Sequence, residues 1–161
     1  KGVSIHHAGW MVAAFEISGI VGMLVAGWAT DRFFGGRGPR VCVICMALAT
    51  VFVALFWGIS QPPMWLATLL LGAAGFCIYG PQALVGIAAA NIATKKAAAT
   101  AVGFTGLFGY ASTLVSGWGL GLLAQHYGWN IAVGALILIA IMGTLIFMAA
   151  WSAKANGYDN D

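Results

Sequence analysis

Residues 41–94 read VCVICMALATVFVALFWGISQPPMWLATLLLGAAGFCIYGPQALVGIAAANIAT, a stretch of 54 positions without Asp, Glu, Lys or Arg. A second stretch without these residues covers the 57 positions from 97 to 153. A hydrocarbon core of about 30 Å is crossed by about 20 apolar residues at about 1.5 Å per residue. Each stretch is therefore long enough for two crossings and predicts two transmembrane helices joined by a turn.

The composition of the whole chain also indicates a membrane protein. Hydrophobic residues make up 61% of the chain and charged residues only 7%, whereas soluble domains carry about 25% charged residues. Because the apolar runs are continuous and do not alternate with polar residues, they favour helices over the strands of a β-barrel. We predict an all-α, polytopic membrane helical bundle.

Four polar, glycine-rich or proline-containing breaks divide the chain, because such segments interrupt apolar helices. The breaks lie at residues 31–40, 61–63, 91–96 and 125–130. The five predicted spans are residues 8–30, 41–60, 64–90, 97–124 and 130–152.

The basic residues of the short loops predict the orientation of these spans. Lys1 falls on one side of the membrane, and six basic residues fall on the other: Arg32, Arg37, Arg40, Lys95, Lys96 and Lys154. The side richer in Lys and Arg faces the cytoplasm. We therefore predict that residues 31–40, residues 91–96 and the C-terminus are cytoplasmic. The net charge of +3 reflects this bias, and we expect no nucleic-acid partner.

No metal site or cofactor is predicted. Cys42, Cys45 and Cys77 lie inside predicted spans, where a thiol usually packs as a small apolar group. The spacing of Cys42 and Cys45 matches redox and zinc motifs, but no second pair accompanies them. The neighbours His6 and His7 have the chemistry to bind a metal, although an exposed surface pair is the simpler interpretation.

Proline and glycine in the third and fourth spans predict the shape of the bundle. Gly80 and Pro81 lie mid-span, and a proline there removes a backbone donor and is expected to kink the helix. Gly117 and Gly121 form a GxxxG pattern that allows close approach of another helix. These features fit either tight static packing or helices that line a cavity and rock during transport.

Four of the polar side chains within the predicted spans are the candidate site residues. Glu16 is the only acid in any span, and an ionisable group there is costly unless it faces a cavity or a partner. Tyr79, Gln82 and Tyr110 either bond neighbouring helices or line an aqueous path that binds a polar solute. For Glu16 the alternatives are an ion pair with a cation outside this chain or a protonated carboxyl sharing a hydrogen bond.

Two stretches resemble the major facilitator superfamily, and within it the organophosphate:phosphate antiporters. The segment GWATDRFFGGRGPR (Gly27–Arg40) resembles the cytoplasmic loop motif of the superfamily, with one additional residue before Gly35. The segment FCIYGPQALVGIAAANIATKKAAATAVGFTGLFGYASTLVSGW (Phe76–Trp118) is similar to the tenth and eleventh helices of glycerol-phosphate and hexose-phosphate transporters and of a hexose-phosphate sensor.

This resemblance implies that residues 1–153 correspond to helices eight to twelve of a twelve-helix fold. They would form a C-terminal half without its first helix, followed by a cytoplasmic tail at residues 154–161. Because the chain begins KGVSIHHAGW, with neither Met nor a signal-peptide pattern, we expect it to be a piece of a longer protein. The N-terminal half of that parent is then an expected partner, together with the lipid bilayer.

The resemblance also implies roles for individual residues. Two arginines of the family, on its first and seventh helices, are thought to hold the substrate phosphate, and neither is in this sequence. Glu16 matches the acid of the eighth helix, and Tyr79 and Tyr110 match tyrosines of the tenth and eleventh. The gate residues implied by the cytoplasmic loop motif are Gly27, Asp31, Arg32 and Arg37.

The function implied by the resemblance is exchange of a sugar phosphate or glycerol phosphate for inorganic phosphate in a bacterial inner membrane. The alternative is a sensor of the same fold that reports external hexose phosphate to a membrane kinase without transporting it. An enzyme would need convergent acids, bases or metal ligands, which one carboxylate and two phenols do not supply. A further alternative is that the piece does nothing without the rest of its parent.

Overall fold

The described part of the chain consists of five long helices. The computed structural model describes residues 5–93 and 96–153, and no strand occurs among them. The helices are α1 (Ile5–Phe34), α2 (Gly38–Gly58), α3 (Met64–Ile92), α4 (Ala98–Tyr127) and α5 (Trp129–Ala149). Each is long and apolar enough to cross a membrane. The prediction of an all-α bundle with five spans is confirmed.

The connection between α1 and α2 is shorter than the break predicted at residues 31–40. Helix α1 continues through Asp31 to Phe34, so only residues 35–37 lie between the two helices. The two glycines of this connection have φ values of 56° and 76°, which a residue without a Cβ adopts at little cost. Pro39 follows in the first turn of α2, where a helix needs no N–H donor.

The other predicted boundaries move by a few residues. Helix α3 includes positions 91 and 92, and α4 continues to Tyr127, so that Gly128 alone separates α4 from α5. Helices α2 and α5 end before the predicted residues 60 and 152. Helices α3 and α4 are longer than predicted because apolarity marks only where the hydrocarbon ends, whereas backbone hydrogen bonds can continue a helix into the headgroup region. Lys1, Lys95 and the predicted tail at 154–161 lie outside the described residues.

Helix α3 is the centre of the bundle. Helix α1 makes its most extensive contact with α3, α2 packs against α3 and α5, and α4 contacts α3 and α5. A buried cluster joins α1, α2 and α3 through Ala26, Val41, Cys42 and Leu84. Cys42 and Cys77 are buried free thiols, as expected for cysteines that serve as packing residues.

Glycines hold α1 and α3 at close range. A Cβ on Gly22 of α1 would overlap the backbone carbonyl of Phe76, and a Cβ on Gly75 of α3 would overlap that of Phe15. Small residues are what permit such backbone contact in a membrane, where packing holds helices together in place of a hydrophobic driving force. The two helices therefore form a tightly packed pair.

The glycines of α4 make no such contact with the described part of the chain. A Cβ on Gly117 or Gly121 would meet no atom within 4 Å, and no residue of α4 is buried against its neighbours. The helix contact expected from the Gly117/Gly121 pattern is therefore not formed within the described residues. A small-residue pattern shows which helix permits close approach, but it does not identify the helix that approaches.

Candidate functional site

Glu16 and Tyr79, predicted separately, form a pair across the interface of α1 and α3. The Tyr79 hydroxyl donates a hydrogen bond to a carboxylate oxygen of Glu16. Both residues lie well inside their helices, far from either end. The partner that the sequence left open for Glu16 is therefore a phenol on a neighbouring helix, and the same bond satisfies the Tyr79 hydroxyl.

Two residues of α1 fix the position of the Tyr79 ring. Phe15 packs against it edge-to-face, with 6.0 Å between the ring centroids and an interplanar angle of 72°. Gly19 lies against the ring, because a Cβ there would be 2.6 Å from Tyr79 Cδ2 and 2.8 Å from Cγ. Gly19 was missed by the sequence analysis, since nothing in its neighbourhood distinguishes it from other glycines of a membrane helix.

The exposure of the Glu16 carboxylate limits what can contact its face of α1. Glu16 is exposed in the described chain, and Tyr79 occupies one of the sites at which its oxygens accept a hydrogen bond. A carboxylate at this depth is too costly to face lipid. The Glu16 side of α1 therefore suits contact with a water-filled cavity or with further protein.

A cavity of about 550 Å³ lies between α3 and α4. Gln82 and Tyr110 both line it, and Phe147 of α5 contributes to its wall. The Tyr110 side chain is 79% exposed. Gln82 and Tyr79 are three residues apart on α3, so they lie on the same side of the helix one turn apart.

The structure thus divides the four predicted site residues into two groups. Glu16 and Tyr79 contact each other, whereas Gln82 and Tyr110 line the cavity, which neither Glu16 nor Tyr79 lines. This division depends on how α3 and α4 are rotated about their axes, which the sequence analysis did not determine. Within residues 5–93 and 96–153, no group of three His, Cys, Asp or Glu side chains is arranged to hold a metal ion.

Helix α3 continues without interruption through Gly80 and Pro81. Pro81 lines the cavity and, lacking an N–H, leaves the carbonyl four residues earlier without its helical donor. A Cβ on Gly80 would lie 3.0 Å from the Cβ of Ala26 and 3.4 Å from Cys45 Sγ, so α1 and α2 both pack closely here. The kink expected at Pro81 stays a prediction.

The predicted gate residues do not all come together. Gly27 and Asp31 line a smaller cavity of about 170 Å³, which Asn91 at the end of α3 also lines. Arg32 is exposed and Arg37 is half-buried, and neither lines this cavity. The gating role implied for these four residues stays a prediction.

Comparison with known proteins identifies the family to which the chain is similar. A family model described as the Major Facilitator Superfamily matches residues 1–157. The chain is 40% identical to a probable hexose phosphate transport protein of Chlamydia muridarum, over 96% of this chain and 34% of that protein. No solved structure is significantly similar to the chain.

Two further relatives have different described functions. The chain is 36% identical to the hexose-6-phosphate:phosphate antiporter of Escherichia coli, over 84% of this chain and 30% of that protein. It is 32% identical to the membrane sensor protein UhpC of Salmonella typhimurium, over 96% of this chain and 35% of that protein. The chain spans about a third of the length of these relatives, which are transporters and a sensor rather than enzymes.

Proposed function

The chain belongs to the major facilitator superfamily, and from that premise we propose that it forms part of a transporter that exchanges an organophosphate for inorganic phosphate. The organophosphate is a sugar phosphate or glycerol phosphate, and exchange proceeds by alternating access. The observation that carries the proposal is the Glu16–Tyr79 hydrogen bond between the mid-helix regions of α1 and α3, with Gln82 one turn further along α3 lining a cavity. The similarity to a hexose-6-phosphate:phosphate antiporter supports the choice of substrates.

In this proposal the spans of the chain contact the substrate without neutralising its phosphate. No Lys or Arg occurs at positions 2–31, 41–94 or 97–153, so these spans offer no cation to a phosphate dianion. Phosphate is bound best by arginine, whose planar guanidinium donates two parallel hydrogen bonds. We infer that the phosphate-binding cations come from the rest of the parent protein. The N-terminal half of that protein would then cover the face of α1 that carries Glu16.

The packing suggests which parts of the chain move as one. Because the glycines of α1 and α3 bring their backbones into contact, we expect the two helices to move as a single body that carries Glu16 and Tyr79. Alternating access is largely such a rocking of one bundle against another. The segment that carries Gly27, Asp31, Arg32 and Arg37, from the last turns of α1 into its connection with α2, is then the cytoplasmic gate.

The location proposed for the parent protein is a bacterial inner membrane. The relatives are bacterial, and each described helix is long and apolar enough to cross a bilayer. The excess of basic residues at 31–40 and 91–96 supports a cytoplasmic position for both connections and for the C-terminus. Accessibility of a single cysteine introduced at position 36, probed from each side with a charged thiol reagent, tests this orientation.

The second candidate function is a sensor that binds hexose phosphate without transporting it. The observation that favours it is the similarity of nearly the whole chain to a membrane sensor protein. Sensor and transporter would share the same binding residues, so the site geometry is compatible with both.

Counterflow in vesicles distinguishes the two functions. The full-length protein that contains this chain is reconstituted into vesicles preloaded with phosphate, and uptake of labelled glucose 6-phosphate or glycerol 3-phosphate is followed. A transporter gives saturable uptake that depends on the internal phosphate. Binding of the same ligands without uptake would favour the sensor.

A further inference from the structure

We propose that the cavity between α3 and α4 binds the hydroxyl-bearing organic part of the substrate, and not its phosphate group. This inference rests on the proposed function and deepens it by assigning the two ends of an organophosphate to different places. The cavity is lined by Gln82, one turn along α3 from Tyr79, and is about 550 Å³ in volume. That volume lies within the range of small-molecule sites, about 300–1,000 Å³.

The charge of the cavity wall argues against a phosphate there. None of its lining residues is an Asp, Glu, Lys, Arg or His. A phosphate dianion taken out of water needs cations or several hydrogen-bond donors to replace its hydration. A wall without charge suits the neutral end of the substrate.

The hydroxyl groups of α4 strengthen this argument because their protons are already used. Thr105 Oγ1 donates to the Val102 carbonyl at 2.8 Å. Ser112 Oγ and Thr113 Oγ1 donate to the Gly109 carbonyl at 2.7 Å and 3.0 Å. A hydroxyl has one proton and two lone pairs, so these three side chains present acceptors to the cavity. Acceptors attract the O–H groups of a sugar or glycerol and repel phosphate oxygens.

The remaining lining residues complete a surface that suits a polyol. The amide of Gln82 and the phenol of Tyr110 supply donors as well as acceptors, and both line the cavity. Pro81 and Phe147 supply apolar surface for the C–H groups of the same molecule. Since each hydroxyl of a polyol both donates and accepts, this mixture matches its chemistry better than that of inorganic phosphate.

The test removes one acceptor and compares two ligands. Thr113→Val keeps the shape of the side chain and removes its hydroxyl. Equilibrium binding to the purified full-length protein in lipid nanodiscs is measured with inorganic phosphate and with glucose 6-phosphate or glycerol 3-phosphate, whichever the wild type binds. The ratio of the Kd for the organophosphate to the Kd for phosphate is expected to rise about threefold to tenfold, as for loss of one uncharged hydrogen bond.

Thr144→Val is the matched control. Thr144 Oγ1 donates to the Ala140 carbonyl at 2.8 Å, the same local bond as in Thr113, but Thr144 lies on α5 and does not line the cavity. Its substitution is expected to leave both Kd values unchanged.

Each outcome of the test has a distinct meaning. A rise in the Kd ratio for Thr113→Val alone supports the inference. A ratio equal to that of the wild type, or an equal change in both Kd values, overturns it. Failure of the wild type to exchange in vesicles would overturn the transporter proposal but leave this comparison of Kd values intact. Failure of the wild type to bind either organophosphate would overturn both.

Discussion

Replacing Gly19 by Ala is expected to disable the site without touching either of its polar groups. The added Cβ would lie 2.6 Å from Tyr79 Cδ2 and 3.0 Å from Cε2, whereas carbon atoms in contact are about 3.5–4.0 Å apart. The ring must therefore move by about 1 Å. Phe15 packs against the same ring and restricts its movement, so we expect the displacement to separate the phenol from Glu16.

The expected size of the Gly19→Ala effect follows from the bond that is lost. A hydrogen bond to a carboxylate contributes about 1.5–3 kcal/mol, and every 1.4 kcal/mol is about tenfold in a binding constant. We therefore expect kcat/KM for organophosphate counterflow to fall about tenfold to a hundredfold. Tyr79→Phe removes the hydroxyl and leaves the ring, and it should give a loss of the same order.

The assay for Gly19→Ala compares initial counterflow rates in vesicles that contain equal amounts of folded protein. Gly134→Ala is the control, because a Cβ there meets no atom within 4 Å in the described chain and Gly134 lies on α5, away from the pair. Wild-type rates for Gly19→Ala, together with a loss for Tyr79→Phe, would refute the positioning of Tyr79 by Gly19.

Four further substitutions test other parts of the structure. Glu16→Gln and Tyr110→Phe should impair exchange while the amount of protein in the membrane stays unchanged, and normal exchange in both would remove these residues from the site. Gly22→Ala should lower the melting temperature of the purified protein, because the new Cβ would overlap a backbone carbonyl of α3; an unchanged melting temperature would contradict the close packing of α1 on α3. Arg40→Gln should destabilise the protein by about 1 kcal/mol, because Arg40 Nε lies 3.4 Å from the Trp151 carbonyl and its guanidinium lies 5.4 Å from the centre of the Trp151 ring. The same thermal melt measures it, and an equal melting temperature would show that the contact contributes nothing.

The number of helices was predictable because lipid imposes a simple requirement. Every backbone polar group in a bilayer must be bonded within a helix or a closed barrel, so two long uncharged stretches leave few alternatives. The ends of the helices were less predictable. Asp31 is helical although its charge and the glycines that follow indicated a turn, because a polar residue outside the hydrocarbon does not end a helix by itself.

The candidate site residues could be selected one by one from the sequence, but their contacts could not. Glu16, Tyr79 and Tyr110 stood out because a polar group is costly in lipid. Which of them meet depends on the rotation and offset of each helix, and these are fixed by close contacts such as that of Gly22 with the Phe76 backbone. One sequence shows many glycines in α1, α3 and α4 without showing which of them lie at an interface.

A double-mutant cycle on Glu16 and Tyr79, measured as counterflow, tests most directly the claim that this pair acts as one unit in organophosphate exchange. Rates are compared for the wild type, Glu16→Gln, Tyr79→Phe and the double variant in vesicles preloaded with phosphate. Because residues that bond each other are not additive, we predict that the double variant loses little more than the worse of the two single variants. Losses that multiply, or a wild type without counterflow, would contradict the account.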